Sequence, residues 1–336
     1  MLLIGVVVFL ARHELVAAWE TLGRVNLWIL ALLIPGQVLV YYAAGEMMFS
    51  YLRSKGSIAE VPRLDQARMA LELNFVNHVL PSGGVSGLSY MNWRLGGYGV
   101  SPARATMAQV VRYVMGYSAF IVLLVGAMLL ITIDGDINRW TILVSSSLIG
   151  VMVIGIIFGI FLVSSLDRLN KFALWVTPAL NKSLRRLTFG KVSKVLVLDG
   201  VVRFFNELHH DFLGLMRDRK VLKIPFLWGI AYTIADVGLF LITFWALGES
   251  VNPAPVLIAY GVASLAGLIV VTPGGAGVYE TIMVGFLAFA GMQSGVAIAG
   301  IVLARVIVLL GTIVMGYVFY QHAILKYGKG KSPIKR

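Results

Sequence analysis

Residues 140–166 read WTILVSSSLIGVMVIGIIFGIFLVSSL, 27 consecutive positions without a charged side chain. At a rise of about 1.5 Å per residue, a helix of that length exceeds the ~30 Å hydrocarbon core of a bilayer. A second uncharged run, 251–271, adds 21 positions. Both sit in a chain of 336 residues that is 59% hydrophobic and only 13% charged. Soluble domains carry roughly 25% charged residues, so about half the expected charge is missing. Mean hydropathy is +0.86. A water-soluble fold of two domains, which length alone would admit, is excluded. The runs do not alternate apolar and polar positions as the roughly ten-residue strands of a barrel must. Backbone groups inside a bilayer then require helices, and the expected fold is an all-α polytopic integral membrane protein.

Working outward, the apolar stretches predict about six spanning helices. The first covers 2 to about 19, with Arg12, His13 and Glu14 inside it; it lacks the positive n-region and clear cleavage site of a signal peptide. The others are 27–52, interrupted by Pro35 and carrying Glu46, then 105–133, 140–166, 224–247 and about 297–325. Segment 167–223 differs, with twelve Lys/Arg and five Asp/Glu. Within it Val195, Leu198, Val202, Phe205, Leu208, Phe212 and Leu215 recur at steps of three and four. That spacing gives a helix with one apolar stripe, suited to lying on the membrane surface; a helical hairpin facing water is the alternative. The organisation expected is an N-terminal membrane half, 1–166, a cytoplasmic amphipathic insertion, 167–223, a second membrane unit, 224–325, and a basic tail, 326–336.

Charge orients these parts. The balance is 28 basic against 16 acidic residues, or +12, which in a membrane protein marks cytoplasmic loops and anionic lipid rather than nucleic acid. The insertion and the five-cation tail are expected inside, since 134–139 and 248–253 hold one Lys/Arg between them. The C-terminus is therefore expected in the cytoplasm of a cell whose membrane holds the chain; Arg12 and Arg24 fall on the outer side.

Two segments repeat one order of features. Pro81 with Gly83 and Gly84 stands 31 residues before Arg112, and Pro273 with Gly274 and Gly275 stands 32 before Arg305. Each continues through a short apolar segment, a glycine break and a long span holding a lone arginine. Val-Met-Gly-Tyr occurs in both spans, at 114–117 and 314–317. A common order of this kind indicates duplication. Segment 278–290 extends only about 20 Å as a helix, too short to cross. If 62–97 dips in from the cytoplasm and 254–290 from outside, both units agree with the charges and lie inverted. That is the arrangement of many secondary transporters, with sites at broken helices; two full crossings in place of each hairpin also fit the charges.

Half-helices beginning after the Gly-Gly turns would aim backbone N–H groups and a positive dipole end at an anion. Arg112 and Arg305 are candidate phosphate ligands, each able to make bidentate bonds. Glu280 is the counter-charge for Arg305 or a proton carrier, with a structural Arg305–Glu280 pair as the bland alternative. Asp236 is either a pore-facing titratable group or an arginine partner. Asn74 and Asn77 are read as bracing the turn, and Arg94 as interfacial. These residues make no Walker A loop. His13, His78, His209, His210 and His322 make no metal-ligand spacing, His209 and His210 reading as solvated, and Asp134-Gly135-Asp136 reads as a turn. Without cysteine, disulfides and thiolate sites are excluded. No cofactor and no metal are expected.

Asn77-x3-Pro81-x-Gly-Gly with the following segment to Arg112, and Thr272-Pro-Gly-Gly-Ala-Gly277-Val-Tyr279-Glu280 with Arg305 downstream, resemble the transmembrane flippase region of the lysylphosphatidylglycerol synthases, or multiple peptide resistance factors, and their stand-alone relatives. The resemblance runs from about 27 to 320. It implies movement of an aminoacylated phospholipid, or another lipid, between leaflets; the candidate substrate-binding residues beside the arginines and Glu280 are Gly83, Gly84, Gly274, Gly275, Gly277, Tyr279, Asn77 and Asp236. The chain ends eleven residues after Leu325, so the soluble aminoacyl-transferase domain of long members is not expected. Other short relatives lie near hopanoid, isoprenoid-glycolipid or archaeal glycosylation pathways, so the lipid is not carried over. Expected partners are membrane phospholipid or a lipid-linked substrate, and anionic lipid at the cytoplasmic face. A separate lipid-synthesising enzyme and a second copy of the chain stay open as protein partners. The competing readings are a membrane transferase acting on lipids and an ion-coupled transporter of small anions.

Overall fold

The computed structural model describes residues 23, 25–79, 85–134, 139–187, 197–269 and 275–327. Their regular structure is helical throughout: α1 (Leu27–Leu30), α2 (Leu33–Ser54), α3 (Arg63–Val79), α4 (Val85–Gly96), α5 (Pro102–Asp134), α6 (Arg139–Val163), α7 (Leu166–Leu187), α8 (Leu198–Arg217), α9 (Lys223–Ala246), α10 (Pro253–Ile269), α11 (Val278–Phe289) and α12 (Ser294–Tyr327). Five stretches among them are long and apolar enough to cross a bilayer: Leu27–Ser54, Pro102–Leu129, Arg139–Val163, Arg219–Ala246 and Ser294–Tyr327. The sixth expected span, 2 to about 19, lies outside the described residues, as do Pro81, Gly83, Gly84, Pro273 and Gly274. The polytopic helical reading holds.

The duplication is plain in helix lengths. Helices α2 to α5 have 22, 17, 12 and 33 residues, and α9 to α12 have 24, 17, 12 and 34. Packing repeats as well. The pairs α2–α3, α2–α5, α3–α4 and α4–α5 recur as α9–α10, α9–α12, α10–α11 and α11–α12. Across the units, α3–α12 is matched by α5–α10, and α2–α12 by α5–α9. Helices α2 and α9 meet each other and run antiparallel. The Asn26 N–H donates to the Ala246 carbonyl at 2.7 Å, Gly36 faces Leu239, and the Tyr42 ring lies 5.3 Å from Trp228. Antiparallel equivalents mean that the second unit is inverted against the first. The 17- and 12-residue helices reach only about 25 and 18 Å, short of a crossing, which fits two re-entrant hairpins.

Close approach holds the units together. A methyl group on Gly316 of α12 would fall on Phe75 of α3 and 3.2 Å from the Leu71 carbonyl. Gly316→Ala is expected to force α3 and α12 apart at about 1–3 kcal/mol, seen as a lower unfolding temperature in detergent. Gly285→Ala, where an added Cβ meets nothing within 4 Å, is expected to leave that temperature unchanged or raise it.

The amphipathic insertion is a hairpin packed on protein. Leu208, Phe212 and Leu215 of α8 are buried in one core with Met48, Leu52, Met91 and Leu95. Arg104 fixes Asp211 through two bonds of 3.0 and 3.2 Å. Phe172 of α7 lies 5.9 Å from Phe205, and Val195 falls outside the described residues. The stripe's C-terminal part, Leu208 to Leu215, is thus covered by helices, while Leu198 stays exposed. His209 is likewise not simply solvated, its Nδ1 lying 2.8 Å from the Val163 carbonyl oxygen at the end of α6.

Candidate functional site

Gly275 and Gly277, with φ of +71° and +90°, turn the chain into α11 in a conformation that favours glycine. The turn passes close to α10, since a Cβ on Gly275 would stand 3.4 Å from the Gly267 Cα. One turn into α11, Glu280 reaches back, and its Oε2 accepts the Gly277 N–H at 2.6 Å. Its Oε1 accepts from Arg305 Nε at 2.7 Å. The α11 N-terminus therefore already holds a carboxylate of this chain, where backbone N–H groups open to a ligand were expected. Tyr279 lies beneath the guanidinium, which stands 4.3 Å from the ring centroid.

Beside this pair is a cavity of about 280 Å³ within the bundle. Its lining combines Arg305, Tyr279 and Gly275 with Asp236 from α9, Asn74 and His78 from α3, and Gln37 and Tyr41 from α2. All four elements of the second unit thus contribute, together with two from the first. Asp236 Oδ2 accepts a bond from the Tyr260 hydroxyl at 2.7 Å, and Tyr232 lines the cavity one turn away on the same helix. His78 is oriented through Nδ1, 2.8 Å from the Asn74 carbonyl oxygen. Gln37 Nε2 donates to the Val308 carbonyl at 2.6 Å, and the Tyr41 hydroxyl meets Thr312. That polar seam ties α2 to α12.

Arg112 is elsewhere. It lines a smaller cavity of about 180 Å³ with Tyr113, Gly116, Tyr117, Phe120 and Met152. The two cavities have Tyr232, Tyr260 and Ser264 in common, so they adjoin across that wall. Among the described residues Arg112 has no carboxylate partner, its recorded contact being the Tyr113 ring at 5.7 Å. The helices place the arginines equivalently, Arg112 ten residues after Pro102 and Arg305 eleven after Ser294. A guanidinium in a membrane-crossing helix is expensive without a partner. Arg305 has one from protein, and Arg112 faces a cavity.

Several sequence candidates separate here. Asp236, Gly275, Tyr279 and Arg305 converge on one cavity, with Glu280 reached through Arg305. Of the two asparagines Asn74 lines the cavity, whereas Asn77 packs against Gly87 of α4. Arg94, read as interfacial, is instead buried against Glu72 at 3.1 Å. Sequence reasoning passed over Gln37, Tyr41, Tyr232, Tyr260 and Ser264. Their signal was present as polar groups inside apolar spans, with Gln37 and Tyr41 one turn apart.

The chain matches the family model described as the lysylphosphatidylglycerol synthase TM region over residues 1–316. It is similar to two proteins of Methanothermobacter thermautotrophicus, each described as a UPF0104 membrane protein. One is 28% identical over 194 residues, covering 58% of this chain and 54% of its own length. The other is 22% identical over 237 residues, 69% of this chain and 67% of its own length. With that match across nearly the whole chain and a helical fold bearing the duplicated hairpins, this protein belongs to the lysylphosphatidylglycerol synthase transmembrane-region family.

Proposed function

We propose that this chain is a lipid flippase, moving a phosphate-bearing headgroup, anionic or aminoacylated, between the leaflets of the cell membrane. The observation that carries the reading is the pair of adjoining cavities inside one bundle, each lined by one of the two equivalent arginines. A phosphate leaving one guanidinium meets the other across a shared wall, so each step exchanges one charge-assisted partner for another. Glycine and tyrosine walls leave room for a headgroup while hydrocarbon stays outside. The Lys/Arg distribution supports a cytoplasmic C-terminus, with the 167–223 insertion and the 326–336 tail on that side against anionic lipid. The boundaries 1–166 and 224–325 then mark the two membrane halves.

The test is headgroup translocation in vesicles reconstituted with the purified chain, using fluorescent phosphatidylglycerol. Wild-type protein is expected to speed movement well above empty vesicles. Arg112→Ala is expected to slow it about tenfold, the loss of one charge-assisted contact of about 1.5 kcal/mol. Equal rates with and without protein, or in Arg112→Ala and wild type, would overturn the reading. Uptake of inorganic phosphate without lipid movement would assign the chain to small-anion transport. A new lipid product formed with an aminoacyl donor would assign it to the transferases.

A further inference from the structure

Counting charge around the larger cavity exposes an imbalance. Arg305 and Glu280 neutralise one another at 2.7 Å. Asp236 remains, facing the same space as Arg305. A phosphate diester arriving at Arg305 would add a second negative charge to the same cavity, in a site walled by protein and little screened. Among the described residues, the titratable groups lining the two cavities with Asp236 are Tyr41 from α2, His78 from α3, Arg112, Tyr113 and Tyr117 from α5 in the adjoining cavity, Tyr260 from α10, Tyr279 from α11, Arg305 from α12 with its partner Glu280, and Tyr232 of its own helix. None is a second cation in that cavity free of a carboxylate. The tyrosines carry no positive charge, and His78, whose Nδ1 meets the Asn74 carbonyl, is the one other described group of that lining able to take a proton.

We propose that one proton accompanies each anionic headgroup, carried on the Asp236 carboxyl. This rests on the flippase reading and supplies its driving force. The choice of Asp236 over Glu280 follows from their partners. Both Glu280 oxygens accept from fixed donors, Arg305 Nε and the Gly277 N–H, and a proton there would break one of those bonds. Asp236 is bonded by the Tyr260 hydroxyl, which donates to a carboxylate and accepts from a carboxylic acid after a simple rotation. The same partner therefore satisfies both protonation states. The proton is taken from water on the side where the headgroup enters and returned to water where it leaves. A lipid of charge −1 and one proton cross together, so the cycle is electroneutral.

Proteoliposomes with fluorescent phosphatidylglycerol and an imposed pH difference test this. With wild-type protein the leaflet distribution is expected to follow the gradient by up to about tenfold per pH unit, the ratio that one proton per lipid allows, and to ignore a potassium diffusion potential. A pH dye trapped inside should record proton movement when lipid is added to one leaflet. In Asp236→Asn, whose amide oxygen can still accept the Tyr260 bond, the lipid distribution is expected to ignore the pH difference and the trapped dye to stay silent. Lipid movement by wild type without gradient bias would overturn proton coupling and leave the flippase reading standing. So would bias retained in Asp236→Asn, or bias lost in His78→Gln while Asp236→Asn keeps it. Absence of lipid movement in every vesicle would bring down both.

Discussion

Arg305→Ala is expected to slow headgroup translocation by about 100-fold or more while leaving the helical fold intact. The magnitude follows from removing a guanidinium whose loss also strands Glu280 in a protein-walled site, a change of on the order of 3 kcal/mol. The fold is expected to survive because Glu280 keeps its second bond, from the Gly277 N–H at 2.6 Å, and so still closes the first turn of α11. Glu280→Ala removes that cap and the counter-charge together, so it should lower both stability and rate. Glu280→Gln separates the two roles. Its amide oxygen still accepts the Gly277 N–H, but the guanidinium is released from its carboxylate and should hold phosphate more tightly. Inhibition of lipid movement by added glycerophosphate, compared between Glu280→Gln and wild type, is the measurement. If Arg305 served only as a structural partner, Glu280→Gln would reproduce Arg305→Ala in rate and unfolding temperature, with no gain in competition.

How much of this could be read along the chain depends on what each feature needs from tertiary packing. Span length and the absence of charge in 140–166 require nothing else, so the polytopic fold was visible at once. The inverted duplication was visible because proline, glycine and arginine keep their order in both units, and α2 against α9 carries it out in space. Arg305 with Glu280 was legible for the same reason. Tyr232 and Tyr260 were not, because a tyrosine in an apolar span reads equally as lipid-facing, and only the α9–α10 pairing brings Tyr260 to Asp236. The protein cover of the α8 stripe was not legible, since Leu208, Phe212 and Leu215 at helical spacing say that a face is covered, not by what. The equivalence of the two arginines is a statement about the repeat and does not say whether they share a pocket. Their separation comes from the side chains that fill the space between the units, among them Tyr232, Tyr260 and Ser264.

Arg94→Ala is expected to be the most destabilising single change at any described position outside the cavities, with a loss of about 3–5 kcal/mol. Its guanidinium is 5% exposed and its partner Glu72 is 3% exposed. Arg94 Nε donates to Glu72 Oε2 at 3.1 Å, and the Tyr90 hydroxyl donates to the same oxygen at 2.8 Å. The other face of the guanidinium is covered by Tyr327, 4.2 Å from the ring centroid, and the Tyr98 ring lies at 5.6 Å. This cluster joins α3, α4 and the end of α12, so it binds the first re-entrant hairpin to the last spanning helix. Removing one member leaves a buried charge with no opposite partner, which is where the large penalty arises. Replacing both ions and the hydroxyl donor, in Glu72→Leu/Arg94→Met/Tyr90→Phe, removes the desolvation term along with the attraction, and is expected to be far less harmful than either ion's loss alone. Unfolding temperatures in detergent for wild type, Arg94→Ala, Glu72→Ala and the triple variant decide the matter. The ionic account requires the triple variant to lie above both single variants. If it unfolds below both, the hairpin is held by the shape and stacking of Arg94 between its tyrosines, and the charge pair contributes little.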